Sequence, residues 1–303
     1  AVSPDGRLLA SAQGRGQSMA PPKITLWDLA PSTTDTRDDD EDLRALRWLG
    51  DWKPHERSLA SVAFSVDGRR LVSCGLETHA RQQLVVWDLK RLLLPVDLGS
   101  ATKKGARSKP WSLRELGFAT VAKQLSDFPV ERCKWSAYER DAIVTCGKEN
   151  VRFWRIKKDH IPGAPAALYE YARDAHFDDL CFEAGGVAGV GTFDNDDDDG
   201  PRKESPRVLP EESGGCAHVR HRSLRGKEMD KVVYVAARSG HVLQLSYAQR
   251  SLLCVLRLHD GPVVSVAATP GYVLTASTDG VARLWPLDFK DFLMEARHEA
   301  PLV

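Results

Sequence analysis

One histidine and the hydroxyl and carboxylate residues that follow it could form a catalytic set. His259 precedes a short apolar run, Thr275 and Ser277 lie in the next run, and Asp279 occupies the turn after it. A histidine between a hydroxyl and a carboxylate is the arrangement of a nucleophilic hydrolase. Here the series ends at Trp285, whose indole is a packing group, so a hydrogen-bonded brace explains the same spacing. We predict a structural tetrad, with either Thr275 or Ser277 as its hydroxyl.

The same spacing occurs in two other parts of the chain, but less completely. His55 with Ser73 and Trp87 predicts a second, incomplete brace. The unit that ends at Trp154 has Lys148 where the carboxylate should be, and we expect no brace there.

Other patterns that could do chemistry fail on their context. The glycine-rich stretch at 185–191 leads into an acidic run instead of opening a helix, as a phosphate-binding loop would. The acidic run at 191–199 lacks the ligand spacing and closing glutamate of an EF-hand. The six cysteines show no metal-binding spacing, and all but Cys216 lie in apolar, strand-like stretches. The sequence predicts no catalytic residue, no cofactor and no metal.

Composition excludes a general attraction to nucleic acid or to an anionic membrane. The 303 residues include 42 Lys plus Arg and 42 Asp plus Glu, so the formal net charge is zero. No apolar run approaches the roughly 18 residues of a membrane span, and no leader pattern opens the sequence. We expect a cytoplasmic type of chain with no membrane partner.

Two local basic clusters lie in predicted loops, at 103–109 and 220–227. Basic loops are commonly only solvated. Neither cluster interleaves aromatic residues as a single-stranded nucleic-acid platform would, so an acidic protein surface is the better candidate partner. The candidate binding residues are Lys103, Lys104, Arg107, Lys109, Arg220, Arg222, Arg225 and Lys227.

Repeated short runs that end in tryptophan indicate the elements that must position these residues. They are ITLWDLA (24–30), LVVWDLK (84–90), VRFWRIK (151–157) and VARLWPL (281–287), and Leu245 marks a degenerate fifth ending 40 residues before Trp285. Apolar, alternating runs precede each ending, at 1–13, 55–75, 130–147, 176–186 with 231–240, and 259–285. A fourth run follows each ending, at 44–52, 113–121, 168–172, 252–258 and 292–299. The pattern predicts an all-β propeller of five four-stranded blades, with the four tryptophans buried in third strands.

Three insertions explain why so few blades occupy 303 residues. They are predicted at about 31–44, 99–110 and 192–230, and their low apolar content favours disorder. The first and last residues read as parts of further strands. We therefore expect residues 1–303 to be one part of a larger, tandem propeller array.

The repeats resemble WD40 propellers over nearly the whole chain outside the insertions. More narrowly, CGKENVRFWRIK (146–157) and the tail at 274–303, in which Pro286 follows Trp285, resemble a family of centriolar and ciliary tandem-propeller proteins. The family's microtubule-wall domain is not in this chain, so none of its binding residues is carried over.

The resemblance implies a non-catalytic scaffold of the cytoskeleton at the centriole, basal body or cilium. Its partners would be tubulin in the microtubule wall or proteins of the inner centriolar scaffold, with no nucleic acid, membrane or small-molecule substrate. The alternative is a WD40 adaptor that recognises a peptide or modified tail, such as a ubiquitin-ligase substrate receptor. The partner separates the two hypotheses, because a propeller supplies both with a rigid display of loops.

Overall fold

The structure, a computed structural model, describes residues 1–13, 21–29, 47–89, 119–183 and 231–302. These residues form five antiparallel sheets in which strands pair in sequence order. The first sheet contains β1 (Leu8–Gln13), β2 (Lys23–Asp28) and β3 (Arg47–Trp52). The second contains β4 (Ser58–Phe64), β5 (Arg70–Leu76), β6 (Gln82–Asp88) and β7 (Ala119–Leu125).

The remaining three sheets have four strands each. The third contains β8 (Val130–Trp135), β9 (Ala142–Gly147), β10 (Asn150–Arg155) and β11 (Gly163–Pro165). The fourth contains β12 (Phe177–Phe182), β13 (Val232–Ala237), β14 (His241–Ser246) and β15 (Ser251–Arg257). The fifth contains β16 (Val263–Thr269), β17 (Tyr272–Ser277), β18 (Val281–Pro286) and β19 (Met294–Arg297).

Two turns before third strands require a glycine. Gly240 and Gly280, which open the third strands of the fourth and fifth sheets, have φ of +82° and +81°. A Cβ on Gly240 would lie 2.3 Å from the carbonyl oxygen of His259, and one on Gly280 would lie 2.7 Å from that of His298. Only glycine accommodates both the left-handed backbone and this close approach.

The apolar core is divided into four clusters, each shared by two consecutive sheets. The first strands of the second to fifth sheets, β4, β8, β12 and β16, pack side by side in that order. Each described sheet therefore rests on its neighbours in the sequence, and the first strands line the inner side of the array. This is the layout of successive propeller blades.

The tryptophan at the end of each third strand packs on the preceding sheet. Trp87, Trp154 and Trp285 are all buried, in the clusters between the first and second, second and third, and fourth and fifth sheets. Leu245, predicted as the degenerate ending, occupies the same place in the cluster between the third and fourth sheets. Trp27 differs: it is only partly buried, because it lies on the face of β2 opposite to Leu26, which packs on the second sheet.

Strand order separates the two ends of every sheet. In a four-stranded sheet, first-to-second and third-to-fourth strand connections lie at one end, and second-to-third connections lie at the other. In the first sheet, β1, β2 and β3 take the second to fourth positions, because the innermost position holds only an isolated bridge. The three longest gaps between described residues, 30–46, 90–118 and 184–230, all begin and end at the first of these ends, which we call the insert end. We call the opposite end the relay end. The predicted insertions at 31–44, 99–110 and 192–230 fall within these gaps, outside the described residues.

Several predicted strands need correction. Residues 168–172 were expected to form the outer strand of the third sheet, but Tyr169–Ala172 is a 3-10 helix and the outer strand is β11. A tight hairpin turn at Lys157–His160 returns the chain early, so pairing with β10 ends before Leu168, which packs into the core. The outer strand expected at 113–121 is β7, and residues 113–118 lie outside the described part of the chain.

The first sheet also has one strand fewer than expected. Its innermost position holds only an isolated bridge between Val2 and Leu9. Among the described residues, no helix has the length and apolar character that a membrane crossing requires.

Candidate functional site

The structure brings the predicted His259 tetrad together at the relay end of the fifth sheet. His259 Nε2 lies 2.7 Å from Thr275 Oγ1, and His259 Nδ1 lies 3.2 Å from Asp279 Oδ2. The Trp285 indole N–H donates to Thr275 Oγ1 at 3.0 Å. Thr275 is therefore the hydroxyl of the tetrad, and Ser277 accepts a hydrogen bond from the Asp279 backbone N–H instead, at 3.3 Å.

We call this chain of hydrogen bonds, from Trp285 through Thr275 and His259 to Asp279, a relay. The chemistry of its donors fixes the direction in which the bonds run. An indole N–H can only donate, so the Thr275 hydroxyl accepts from Trp285 and donates to Nε2 of a neutral His259. The Nδ1–H of His259 then donates to Asp279. Because Thr275 is fully buried, at 0% exposure, its hydroxyl cannot meet a substrate. Every polar group of the set is satisfied within the blade, which fits a brace and not a nucleophile.

Burial sets the protonation state of this relay. Desolvation lowers the pKa of His259 despite the opposing attraction of Asp279. Burial acts to raise the pKa of Asp279, but the hydrogen bond from the Val281 N–H and the neighbouring histidine outweigh it, so the pKa of Asp279 is lowered. Near neutral pH the pair is therefore a neutral imidazole beside a carboxylate.

A second complete relay lies at the same end of the second sheet. His55 Nε2 lies 3.0 Å from Ser73 Oγ, which accepts from the Trp87 indole N–H at 3.0 Å. The expected incompleteness was wrong, because Glu77 Oε1 lies 2.7 Å from His55 Nδ1 and fills the carboxylate position. Desolvation also lowers the pKa of His55, against the opposing hydrogen bond and charge of Glu77.

In the third sheet, only the hydrogen bond from the tryptophan to the hydroxyl is present. The Trp154 indole N–H donates to Thr145 Oγ1 at 2.8 Å. The backbone N–H of Lys148, the residue in the carboxylate position, donates to the carbonyl of Pro129 at 3.0 Å. The turn is thus closed by backbone alone, without a histidine.

Sequence reasoning missed a charged cluster on the inner first strands. Asp179 on β12 is 4% exposed, and its Oδ1 lies 2.9 Å from Lys134 Nζ and 3.4 Å from Arg132 Nε on β8. Its Oδ2 accepts from Ser265 Oγ and from the Val266 backbone N–H, both at 3.1 Å. One carboxylate therefore joins the first strands of the third, fourth and fifth sheets. The available signal was a pair of aspartates, Asp178 and Asp179, inside a first strand whose other residues are apolar.

A β-bulge that recurs in the first strands sets the direction of these side chains. Each first strand from the second to the fifth sheet has a bulge, after which come Ser61, Arg132, Asp179 and Ser265. Ser61 Oγ accepts from the Cys133 N–H at 3.0 Å, just as Asp179 accepts from the Val266 N–H. Bulges redirect side chains locally, and here Ser61, Arg132 and Asp179 each contact the next first strand, while Ser265 bonds back to Asp179. The cluster borders a cleft of about 520 Å³ that also includes Ala1 and Val2.

Four of the five thiols of the described residues are buried packing groups, and Cys254 is partly buried. Burial raises the pKa of Cys133 to about 11 and that of Cys181 to about 12. It also raises the pKa of Cys74 and Cys146. Thiolates, the reactive form, are thereby suppressed. No three His, Cys, Asp or Glu residues of the described ranges are grouped so as to hold a metal ion, and Cys216 lies outside those ranges.

The structure does not place the predicted partner-binding residues. Lys103, Lys104, Arg107, Lys109, Arg220, Arg222, Arg225 and Lys227 all lie in the gaps 90–118 and 184–230. Both gaps leave the fold at the insert end, and the two relays lie at the relay end.

The pattern of the WD40 family (WD domain, G-beta repeat) matches residues 47–88 and 250–286. Each matched segment runs from the outer strand of one sheet through the first three strands of the next. Each segment also contains one complete relay. Two segments of the chain match WD40 repeats. The two matched repeats are thus the two units that a histidine, a hydroxyl, a carboxylate and a tryptophan brace.

Similarity to curated proteins extends over essentially the full chain. It is 27% identical over 299 residues to "Centriole proteome protein 16" of Chlamydomonas reinhardtii, covering 99% of this chain and 12% of that protein. It is 26% identical to "WD repeat-containing protein 90" of Xenopus tropicalis and 25% identical to the Homo sapiens protein of that name, covering 97% and 100% of this chain. The chain spans 13% and 14% of the length of those two relatives.

A solved structure supports the fold. The chain superposes on the Cps50 (Swd1) β-propeller domain of Myceliophteria thermophila with a TM-score of 0.58 and 11% identity. The match covers 98% of this chain and 70% of that one. The fold is a β-propeller, in which the described residues form five recognisable blades.

Proposed function

We propose that this chain is a non-catalytic interaction module of a centriolar protein, which binds an acidic partner surface at its insert end. The partner is tubulin of the microtubule wall or a protein of the centriolar inner scaffold. The names of the curated relatives support the centriolar setting. The acidic character of the partner is argued from the basic clusters at 103–109 and 220–227.

The proposal rests on one observation, that the two ends of the blades differ in the side chains they hold. At the relay end, the side chains that could do chemistry are buried and bonded to one another, as in the set from His259 to Trp285. At the insert end, both basic clusters join the fold through strand connections. A rigid propeller that displays long connections at one end can bind a partner at low ordering cost.

Electrostatics predicts how such binding behaves. With a formal net charge of zero, the attraction must come from local clusters. Exposed charges more than about 8 Å apart are largely screened at physiological ionic strength, so binding is weak and falls steeply with salt. The acidic stretches at 35–42 and 194–199 would be repelled by the same partner, so the proposal expects them to take no part in the contact.

A copelleting series with microtubules at rising salt tests the proposal. The test variant reverses the charges of Lys103, Lys104, Arg107 and Lys109. The control variant reverses Arg57 and Arg81, two exposed cations of the relay end. We expect reduced copelleting of the test variant alone. Equal binding by both variants would remove the site, and no copelleting by the unaltered chain at low salt would remove tubulin as the partner.

A further inference from the structure

The described part of the insert end has a basic cleft of its own, between the third and fourth sheets. Its volume is about 320 Å³, near the lower limit of small-ligand sites. The charged residues that line it are Glu139 from the β8–β9 connection, Arg155 at the end of β10, Lys157 from the β10–β11 connection, and Arg250 from the β14–β15 connection. We call it the basic cleft.

Backbone hydrogen bonds hold the two walls of the basic cleft together. The Ala167 N–H donates to the Arg250 carbonyl at 2.8 Å, and the Leu252 N–H donates to the Ala167 carbonyl at 3.0 Å. On the other wall, Lys157 and His160 exchange two backbone hydrogen bonds of 2.8 and 2.9 Å. The backbone that carries the cations is therefore fixed before any ligand arrives, which lowers the ordering cost of binding.

The charges of the basic cleft are unbalanced. Arg155 forms an ion pair with Glu139. Lys157 and Arg250 are exposed, and neither has a carboxylate within 4.0 Å among the residues that the structure describes. Three cations therefore face one anion, and two of them remain to attract a ligand.

The floor of the basic cleft argues for carboxylates over nucleotides. Phe153 and Tyr247 lie beneath it, each with an exposure of 7%. Phe153 and Tyr247 meet edge to face, with ring centroids 5.5 Å apart. These rings are committed to the core and offer no free face on which a base could stack. Cations above an apolar floor instead match side-chain carboxylates whose methylene groups need cover.

We propose that the basic cleft binds a short acidic peptide segment with adjacent glutamates, which Lys157 and Arg250 hold from opposite walls. Arg155, kept in place by Glu139, borders the same segment. The inference rests on the proposed function only in assigning an acidic partner. It adds a binding site that does not depend on the clusters at 103–109 and 220–227.

The test uses the whole chain and a fluorescent peptide of four glutamates flanked by glycines, with a glutamine version as the comparison. The variant Lys157→Glu with Arg250→Glu is compared with the control Arg57→Glu with Arg81→Glu, in fluorescence anisotropy at low salt. We expect the first variant to lose affinity for the glutamate peptide by about tenfold or more, and the control to match the unaltered chain. Equal thermal midpoints of the two variants establish that the exposed substitutions leave the fold intact.

Two results would overturn the inference: equal affinity of both variants for the glutamate peptide, or equal affinity of the unaltered chain for the glutamate and glutamine peptides. The microtubule series separates this outcome from the proposed function. If copelleting depends on residues 103–109, while Lys157→Glu with Arg250→Glu leaves the affinity for the glutamate peptide unchanged, the proposed function stands and the basic cleft is removed. Peptide binding at the basic cleft without copelleting supports the cleft and removes tubulin as the partner of the loops.

Discussion

The carboxylate of Asp179 on β12 accepts a hydrogen bond from the backbone N–H of Val266 on β16, 3.1 Å away. A single side chain thus supplies a polar connection between the first strands of the fourth and fifth blades. The same carboxylate neutralises cations of the third blade. We expect this position to contribute to the stability of the array and not only to its surface charge.

Replacing Asp179 by Ala should lower the free energy of unfolding by about 1–3 kcal/mol, because the buried Val266 N–H loses its acceptor. Asp179→Asn keeps an acceptor and should cost less. Asp178→Asn is the control, since Asp178 pairs with the half-exposed Arg238 and such pairs contribute little. Urea unfolding measures all three variants. Equal stability of Asp179→Ala and the control would contradict the bridging role.

Replacing Thr275 by Val should also cost about 1–3 kcal/mol, since it removes the acceptor of the Trp285 indole and the donor to His259 at once. Asp279→Ala, which removes the other partner of His259, should cost a similar amount. Thr269→Val, at the exposed end of β16, should change little. Thermal unfolding gives the comparison. Full stability with loss of partner binding would show that the relay is a functional site.

Lowering the pH should destabilise the protein through His55 and His259. Burial lowers the pKa of both histidines in the folded chain, so the unfolded chain takes up protons first as the pH falls below about 6.5. Stability is therefore fully present above that pH and is lost below it, by at most about 1.4 kcal/mol per pH unit for each histidine. The pH series is measured by urea unfolding between neutral and mildly acid conditions. A free energy of unfolding that increases as the pH is lowered would contradict neutral histidines in the two relays.

The tryptophans should differ in their contribution to stability according to what covers them. Trp154→Ala should cost about 3–5 kcal/mol, as expected for a buried tryptophan in a core. Trp27→Ala should cost clearly less, because Trp27 is partly exposed on the face of β2 that points away from the second blade. Unfolding of the two variants in parallel checks this, and equal costs would show that another surface covers Trp27.

Local patterns allowed much of this fold to be predicted from the sequence. A tryptophan at the end of a third strand and a turn with Asp279 before Gly280 are encoded within one unit. The relay of the second blade was predicted to be incomplete, but Glu77 follows Ser73 by four residues, as Asp279 follows Thr275, and its carboxylate reaches His55. Asp179 and the basic cleft depend on contacts between blades, which spacing within one unit does not reveal.

The prediction of a strand at 168–172 was wrong for a related reason, because Tyr169–Ala172 is a helical turn. Its apolar, aromatic sequence has the composition of a strand, but Tyr169 adopts a left-handed backbone with φ of 54°. Leu168 anchors the segment in the core between the third and fourth blades. Tertiary packing thus overrides local strand propensity.

The division of the core into four clusters makes the fold resemble a row of coupled units. Each of the second, third and fourth blades is held by two clusters, whereas the first and fifth blades each take part in one of the four. In such a nearest-neighbour system, opening is cheapest where a unit has one interface to break. Amide hydrogen exchange should therefore be slowest in β9 and β13 and fastest in β1 and β17, so that the described array loosens inward from both of its ends.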